Sequence, residues 1–203
     1  CSPEEGWTRV LVEKPFGKDR KTAQQLDRLL GKLFREEQIY RIDHYLGKET
    51  VQNVLAFRFS NSFLSPVWNS QGIEKIEVKL LEKKGIEGRA GFYEGIGALR
   101  DVGQNHVLQL LALFLMENPG TFNADHIRKE RAKVFQSLQL FTGKGIEERT
   151  LRGQYRGYKD EDDVDPSSET ETYFRIKTYS TDKKWKGVPL YLESGKALEE
   201  GRV

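Results

Sequence analysis

Apolar positions in the first fifty residues change from a short continuous run to a helical spacing. Residues 9–13 (RVLVE) are typical of a buried strand, which ends at Lys14 because the proline after it restricts that residue to extended backbone. Asp19 can cap the helix that follows. The apolar residues of this helix recur every three or four positions and are Ala23, Leu26, Leu30, Leu33 and Phe34. We interpret residues 41–49 (RIDHYLGKE) as a polar connection, and we expect a second helix to begin near Lys48.

The period of the apolar positions changes to two in the middle of the chain. Residues 73–82 (IEKIEVKLLE) alternate between apolar and polar, which predicts a strand whose apolar face ends at Glu82. Residues 99–116 predict a helix whose second half (VLQLLALFLM) is apolar nearly all round. Because such a helix is normally buried on every side, we expect it at the centre of the fold.

The last eighty residues predict one charged, peripheral helix at 125–140 and then three strands. The strands are expected at residues 151–155, 173–179 and 188–192. Residues 159–171 (KDEDDVDPSSETE) are acidic and contain a proline, so we predict a solvated loop there. A strand and a helix followed by further helices and a meandering sheet predict an α+β fold.

Composition limits the function classes and the compartment. The 203 residues carry 33 basic and 31 acidic side chains, a net charge of +2, which argues against a nucleic-acid binder held by a broad basic face. The single cysteine, Cys1, excludes an internal disulfide framework and predicts a reducing, cytosolic compartment. No apolar run has the length of a bilayer span. Because the only methionine is Met116, we expect the chain to be a piece of a longer protein.

Three side chains of the RIDHYLGKE stretch can surround an anion. Lys48 supplies a point charge, His44 and Tyr45 can donate hydrogen bonds, and a helix beginning near Lys48 adds free backbone N–H groups. The alternative is an ordinary polar turn, and spacing alone does not separate the two interpretations. Lys14 at the end of the first strand has the same ambiguity. If that strand is parallel to others, its carboxyl end is where ligands bind; otherwise Lys14 is a solvated turn residue.

His106 is the most informative histidine, because helical spacing places it on an apolar face. There it must have a polar partner, either as an ordinary core histidine or as part of a site. Asp101 is five positions away, about 140° around a regular α-helix. Either the helix begins after Asp101, or the two residues serve different parts of one site. Asp43, beside His44, can fix the tautomer of a histidine elsewhere in the chain. His126 has a surface pattern and receives no role.

Other candidate motifs are weak. Lys196 follows the last apolar run in a glycine turn (LESGKAL), where it can contact an anion, although lysines in turns are common. The segment GIGALR at residues 95–100 has two glycines of a dinucleotide fingerprint but lacks the third glycine and the preceding strand. With three dispersed histidines, we expect no metal site.

Taken together, the motifs resemble those of the glucose-6-phosphate dehydrogenase family. The stretch RIDHYLGKE is similar to the family's active-site signature, and LRDVGQNHVLQ at residues 99–109 to its catalytic-histidine helix. Three shorter blocks occur in the same order: VEKPFGKD at residues 12–19, RGQY at 152–155 and ESGKAL at 193–198. The resemblance covers nearly the whole chain, so it is more specific than any single motif.

The resemblance implies oxidation of glucose 6-phosphate at C1 to 6-phosphogluconolactone, the first step of the pentose phosphate pathway, with hydride transfer to NADP or, in some members, NAD. His106 is then the general base, and Asp43 its hydrogen-bond partner. The other implied contacts are to the substrate: the phosphate by His44, Tyr45 and Lys48, the sugar hydroxyls by Glu82 and Asp101, and the substrate generally by Lys14 and Lys196. Lys14 is also implied in cofactor binding, and Lys14-Pro15 is a candidate cis peptide.

The resemblance also implies a domain organisation. Residues 1–18 are expected to be the last strand of a Rossmann-type cofactor domain. Residues 19–203 are then a truncated α+β substrate domain, a large and mostly antiparallel sheet with helices packed on it. We expect a cytoplasmic protein that forms dimers or tetramers at full length, and little activity from this piece alone. Glu193 stands where the family has arginine, and Arg202 is the basic residue expected after Lys196, displaced by one position.

Two other functions remain open at this stage. One is a dehydrogenase that acts on another hexose or hexose phosphate. The other is a non-catalytic sugar-phosphate-binding protein of the same fold, against which the presence of both Asp43 and His106 argues, because binding alone needs no base.

Overall fold

The computed structural model describes residues 6–17 and 19–199. Cys1 and Arg202, which enter the predictions above, lie outside the described residues. The chain divides into two compact units, Cys1–Gly47 and Lys48–Val203. No helix in the described part of the chain is both long enough and apolar enough to cross a membrane.

The first unit is a strand–helix–strand arrangement with parallel strands. Strand β1 (Val10–Glu13) pairs in parallel with β2 (Ile39–Ile42), and helix α1 (Arg20–Leu33) connects them. Asp19 caps α1 as predicted: its carboxylate accepts from the Thr22 N–H at 2.8 Å. The interpretation of residues 41–49 as a connection alone was wrong at its start. Residues 41 and 42 complete β2, because the backbone of this segment hydrogen-bonds to β1.

The pairing of β2 with β1 also affects the division of the chain. The sequence placed the end of the cofactor-domain remnant at residue 18, whereas the first compact unit extends to Gly47. Helix α1 connects the two strands of this small sheet, and its Asp27 carboxylate accepts from the Arg41 guanidinium on β2 at 2.6 Å. The fold class is nevertheless the predicted one, α+β with a Rossmann-type beginning.

The second unit combines a four-stranded sheet with helices. Its strands are β3 (Ile76–Leu81), β4 (Thr150–Gly153), β5 (Tyr173–Thr178) and β6 (Leu190–Gly195). They lie in the order β3-β6-β5-β4, in which only the β3–β6 pair is parallel. The helices are α2 (Glu49–Ser60), α3 (Ala90–Tyr93), α4 (Leu108–Leu115), α5 (Ala124–Ser137) and α6 (Lys144–Arg149).

Helix α4 is buried at the centre of this unit, as its apolar sequence predicts. Leu111 and Ala112 have no exposed surface, and Leu115 is 3% exposed. Buried polar groups cap its carboxyl end. The Arg58 guanidinium donates to the carbonyls of Leu113 and Met116, which have no partner within the helix. The helix is therefore fixed at its end as well as along its sides.

The predicted helix 99–116 has two different parts. Residues Leu99–Val107 form a π-helix, and only Leu108–Leu115 is α-helical. A π-helix is wider than an α-helix and closes its hydrogen bonds between residues five apart. At Gly103 the ring of Phe174 on β5 packs so closely that a Cβ would lie 2.6 Å from it. The prediction of a single regular helix was therefore wrong for the segment that carries His106.

The acidic loop 159–171 is packed against the protein, contrary to the prediction of a solvated loop. Val164 and Ser168 within it are buried, as is Tyr158 just before it. The Tyr158 hydroxyl donates to Glu94 at 2.5 Å, and the Ser168 hydroxyl donates to the same carboxylate at 2.8 Å. The acidic side chains between these anchors remain largely exposed, so composition describes only the outer side of the loop.

Candidate active site

Two candidate residues follow neighbouring parallel strands in the first unit. Lys14 follows β1 and Asp43 follows β2, and the paired residues before them, Glu13 and Ile42, are in register. Carboxyl ends of parallel strands are where open α/β sheets bind ligands, so the condition set for Lys14 in the sequence analysis is met. Both side chains are half-buried. The Lys14-Pro15 peptide is cis, which confirms that prediction.

The turn after β2 carries the proposed anion contacts. The Asp43 carboxylate accepts from the Tyr45 N–H at 2.9 Å, and the Asp43 carbonyl accepts from the Leu46 N–H. In this tight turn the centroids of the His44 and Tyr45 rings lie 4.8 Å apart, with the ring planes tilted by 49°. His44 is exposed and Tyr45 half-buried, so both rings are accessible to a ligand.

Lys48 lies at the beginning of helix α2 in the second unit. It is the N-cap residue, and its carbonyl accepts from the Val51 and Gln52 N–H groups. The predicted helix start is therefore confirmed. A lysine at this place combines its own charge with the positive end of the helix dipole, which is a favourable environment for an anion. Lys48 is exposed.

His106 and Asp101 share one face of the π-helix. His106 is 2% exposed, and Asp101 is half-buried. Because hydrogen bonds in a π-helix join residues five apart, two residues with that separation lie roughly one turn from each other. The separation of about 140° applies to a regular α-helix, which these residues do not form, and the alternative that the helix begins after Asp101 was wrong, because it begins at Leu99. A carboxylate and a buried imidazole therefore project from the same side of one helix.

Glu82 and Lys196 are brought together at the ends of the parallel strands β3 and β6. Lys196 donates a hydrogen bond to the Glu82 carboxylate. The backbone supports the pair, because the Glu82 N–H donates to the Gly195 carbonyl at 2.9 Å. The Lys196 side chain is 5% exposed and that of Glu82 is 39% exposed. The lysine charge is therefore held inside the protein, with the carboxylate on its solvent side.

Tyr93 is a buried residue near Lys196, and the sequence patterns did not predict it as part of the site. The Lys196 ammonium lies 5.7 Å from the centre of its ring. Burial, and then the negative charges of Asp101 and Glu171, raise the pKa of Tyr93 well above its usual range. The phenol thus stays protonated beside two candidate site residues. No sequence signal pointed to it, because α3 is only one turn long and has no apolar period.

Glu193 stands where the resemblance implies arginine. Its side chain lies on the face of the sheet opposite to that of Ser194. Its carboxylate accepts from the Tyr173 hydroxyl at 2.7 Å and pairs with Lys79 on β3 at 3.7 Å. Side chains alternate along a strand, so Glu193 and Ser194 point in opposite directions. The exchange of arginine for glutamate is therefore accommodated without involving the Lys196 ammonium.

The candidate residues form two sets, one in each unit. The first unit carries Lys14, Asp43, His44 and Tyr45 around the end of its parallel strands. The second unit carries Lys48, Glu82, Asp101, His106 and Lys196, with Tyr93 in addition. Chemically, the first set can hold an anion and orient a base. The second set offers an imidazole as a base, carboxylates that can accept hydrogen bonds from hydroxyls, and cations.

Two family models match the chain. The model for the glucose-6-phosphate dehydrogenase NAD binding domain matches residues 1–53, and the model for the C-terminal domain of the same enzyme matches residues 55–203. The division between them lies close to the division between the two compact units.

Several proteins named glucose-6-phosphate 1-dehydrogenase are similar to nearly the whole chain. Glucose-6-phosphate 1-dehydrogenase of Aggregatibacter actinomycetemcomitans is 47% identical over 96% of the chain, which spans 42% of that protein. Glucose-6-phosphate 1-dehydrogenase 6, cytoplasmic, of Arabidopsis thaliana is 47% identical over 98% of the chain, which spans 38% of that protein. A solved glucose-6-phosphate dehydrogenase in complex with glucose 6-phosphate superposes with a TM-score of 0.90 at 41% identity, over 98% of this chain and 42% of that one. The chain therefore spans about two fifths of the length of these relatives.

Proposed function

The chain belongs to the glucose-6-phosphate dehydrogenase family, and from that premise we propose that the complete protein oxidises glucose 6-phosphate at C1 to 6-phosphogluconolactone. The main support is the buried His106, which shares one helical face with a carboxylate. A protein that only binds a sugar phosphate has no use for a base in such a position. The solved relative with bound glucose 6-phosphate supports the same substrate.

His106 acts as the general base in this proposal. It takes the proton of the C1 hydroxyl as the C1 hydride leaves, and its burial keeps bulk water from competing for that proton. We propose that Asp43 accepts a hydrogen bond from His106, which holds the ring in the correct tautomer and stabilises the imidazolium that forms. The hydrogen bond from the Tyr45 N–H supports this role, because it orients the Asp43 carboxylate.

The phosphate group of the substrate is held by His44, Tyr45 and Lys48. Two features support these contacts: the turn that brings the His44 and Tyr45 rings close together, and the helix dipole at Lys48, which favours an anion. Glu82 and Asp101 accept hydrogen bonds from sugar hydroxyls. Lys196 contacts the substrate from beside Glu82, where its charge is already balanced by that carboxylate.

The cofactor is a nicotinamide dinucleotide, and we propose NADP, with NAD as the alternative. Lys14 fits such a group, because it follows a parallel strand at the edge where α/β sheets bind nucleotides. When bound, the nicotinamide ring accepts the hydride from C1. The contribution of Lys14 is a positive charge beside the substrate and the cofactor.

Two further properties are proposed for the complete protein. The Arabidopsis relative is named a cytoplasmic enzyme, which supports the same location here. A dimer or tetramer of identical chains is proposed from the family resemblance. We expect the 203-residue piece to have little or no activity by itself.

The decisive experiment is an assay of the purified complete protein with each sugar and each cofactor. Reduction of NADP in the presence of glucose 6-phosphate, and far slower reduction with unphosphorylated glucose, is the expected result. Binding of glucose 6-phosphate without turnover would instead identify a sugar-phosphate-binding protein. Faster turnover of another hexose phosphate would identify a related dehydrogenase.

A further inference from the structure

The π-helical form of residues 99–107 controls the relative direction of Asp101 and His106. In an α-helix, two residues five positions apart are separated by about 140° around the axis. In a π-helix, they lie roughly one above the other. A change from the π to the α form would therefore rotate Asp101 away from the side of the helix that carries His106. Something in the protein must favour the wider form, because π-helices are rare and occur mostly as short interruptions of α-helices.

The side chain of Asn105 is placed to favour the π form. Its amide Nδ2 donates to the Arg100 carbonyl at 3.1 Å and to the Asp101 carbonyl at 3.3 Å. These carbonyls are five and four residues before Asn105, so they are the acceptors that the π and α forms, respectively, would use for its backbone N–H. The two N–H bonds of one amide group can serve both acceptors at once.

Glu171 holds the beginning of the same helix from the loop before β5. Its carboxylate accepts from the Leu99 N–H at 3.1 Å, and its carbonyl accepts from the Ala98 N–H at 2.8 Å. A Cβ on Gly97 would lie 2.5 Å from the Glu171 carboxylate, so only glycine permits this approach. The next residue of the loop, Thr172, accepts from the Lys196 N–H at 3.0 Å.

We propose that Asn105 and Glu171 are positioning residues which hold residues 99–107 in the π form, so that Asp101 and His106 act from one face on one substrate. This inference rests on the proposed function for its kinetic consequences. Asn105 acts within the helix, at the carbonyls of residues 100 and 101. Glu171 acts at its first N–H groups and links it to the turn that carries Lys196.

The kinetic test compares two asparagine substitutions in the complete protein. Asn105→Asp keeps the size of the side chain but removes the donor. Asn61→Asp is the matched control, because the Asn61 amide donates to the Phe57 carbonyl at 2.7 Å at the end of α2. We expect Asn105→Asp to lower kcat/KM for glucose 6-phosphate at least tenfold and Asn61→Asp to change it less than threefold. Equal effects from the two substitutions would overturn the proposal.

A double-mutant cycle separates positioning from general damage. If Asn105 acts by directing Asp101, the variant with both Asn105→Asp and Asp101→Asn should be little worse than the poorer single variant. If the reduction of kcat/KM in the double variant equals the product of the reductions in the two single variants, the two residues act independently and the proposal is overturned. At position 171, Glu171→Gln keeps an acceptor oxygen for the Leu99 N–H, so it should retain most of the activity that Glu171→Ala loses.

A crystal structure gives a result that does not depend on activity. In Asn105→Asp, or in Glu171→Ala if the first variant does not fold, we expect residues 99–107 to leave the π form. A π-helix that persists in every one of these variants that folds would overturn the inference. Absence of turnover by the unsubstituted protein would overturn only the proposed function, since the helix geometry would still be tested by the crystal structures.

Discussion

Lys196 and Glu82 form an ion pair in which the two charges differ greatly in burial. The ammonium is inside the protein and lies over the Tyr93 ring, whereas two fifths of the carboxylate side chain is exposed to solvent. Water can therefore solvate Glu82 if its partner is removed, but it reaches Lys196 poorly. The consequences of removing one charge or the other should differ for this reason.

We expect Glu82→Ala to destabilise the protein by about 3 kcal/mol or more, because it leaves a buried ammonium without its carboxylate. Lys196→Met should cost about 1 kcal/mol or less, since the new side chain can still pack on Tyr93 and Glu82 becomes solvated. Thermal unfolding of the complete protein, followed by circular dichroism, measures both. A larger loss for Lys196→Met would contradict the burial argument.

Replacement of His106 by asparagine tests the base. We expect His106→Asn to lower kcat by about 10²–10⁴-fold, which is the usual contribution of a positioned acid or base. The KM for glucose 6-phosphate should change little, because the groups that hold the phosphate remain. Steady-state kinetics of the complete protein measure both parameters. A fall in affinity as large as the fall in kcat would assign His106 to binding instead.

Replacement of Lys48 by alanine should have the opposite signature. A phosphate contact acts in the ground state and in the transition state alike, so we expect KM to rise at least tenfold while kcat stays within about threefold. Lys129→Ala on α5 is the control, because Lys129 is also an exposed lysine on a helix. If both lysine variants behave alike, Lys48 has no specific role in substrate binding.

Stability at high pH should depend on Tyr155. Burial first, and then its hydrogen bond to Glu161, raise the pKa of Tyr155 to about 12. The unfolded chain loses this proton near pH 10, so the folded state holds it more tightly between about pH 10 and 12. The stability that this proton contributes is complete below pH 10 and is lost as the pH rises through 12.

The measurement is the thermal midpoint of the complete protein between pH 9 and 12. We expect it to fall less steeply for Tyr155→Phe than for the unsubstituted protein, since phenylalanine has no proton to lose. Tyr40→Phe serves as the control, because Tyr40 is 42% exposed. Parallel pH curves for the Tyr155→Phe variant and the unsubstituted protein would contradict the assignment.

Sequence patterns predicted those parts of the fold whose periodicity is local. The alternation of apolar and polar residues predicted β3, and the capping residue Asp19 predicted the start of α1. Strand β2 was missed because Tyr40 and Arg41 interrupt its apolar pattern, and only pairing with β1 makes it a strand. The packed loop was missed because its buried anchors, Tyr158 and Val164, have no regular spacing.

The candidate site was found by motif rather than by periodicity, and its geometry was not predictable. Residues 82 and 196 are distant in the chain and meet only because β3 and β6 pair in parallel. Apolar spacing cannot separate a π-helix from an α-helix over nine residues. The angle between Asp101 and His106 therefore depended on contacts, such as those of Glu171, that the sequence does not reveal.

The packing of β5 against the π-helix leads to a last prediction, at Gly103. A Cβ at this position would lie 2.6 Å from the tip of the Phe174 ring and 3.0 Å from the next ring carbon. Phe174 is 2% exposed, so the ring has little space into which it can move. We therefore expect Gly103→Ala to destabilise the protein by about 1–3 kcal/mol, the usual cost of overpacking a core.

Gly91→Ala is the matched control for this substitution. Gly91 also lies in a helix, and no atom stands within 4 Å of the position that its Cβ would take. Alanine is preferred over glycine in helices, so this variant should be unchanged or slightly more stable. Urea unfolding of the two complete proteins gives the comparison. If Gly103→Ala is as stable as Gly91→Ala, then the ring of Phe174 can move, and its close contact does not hold the helix that carries His106.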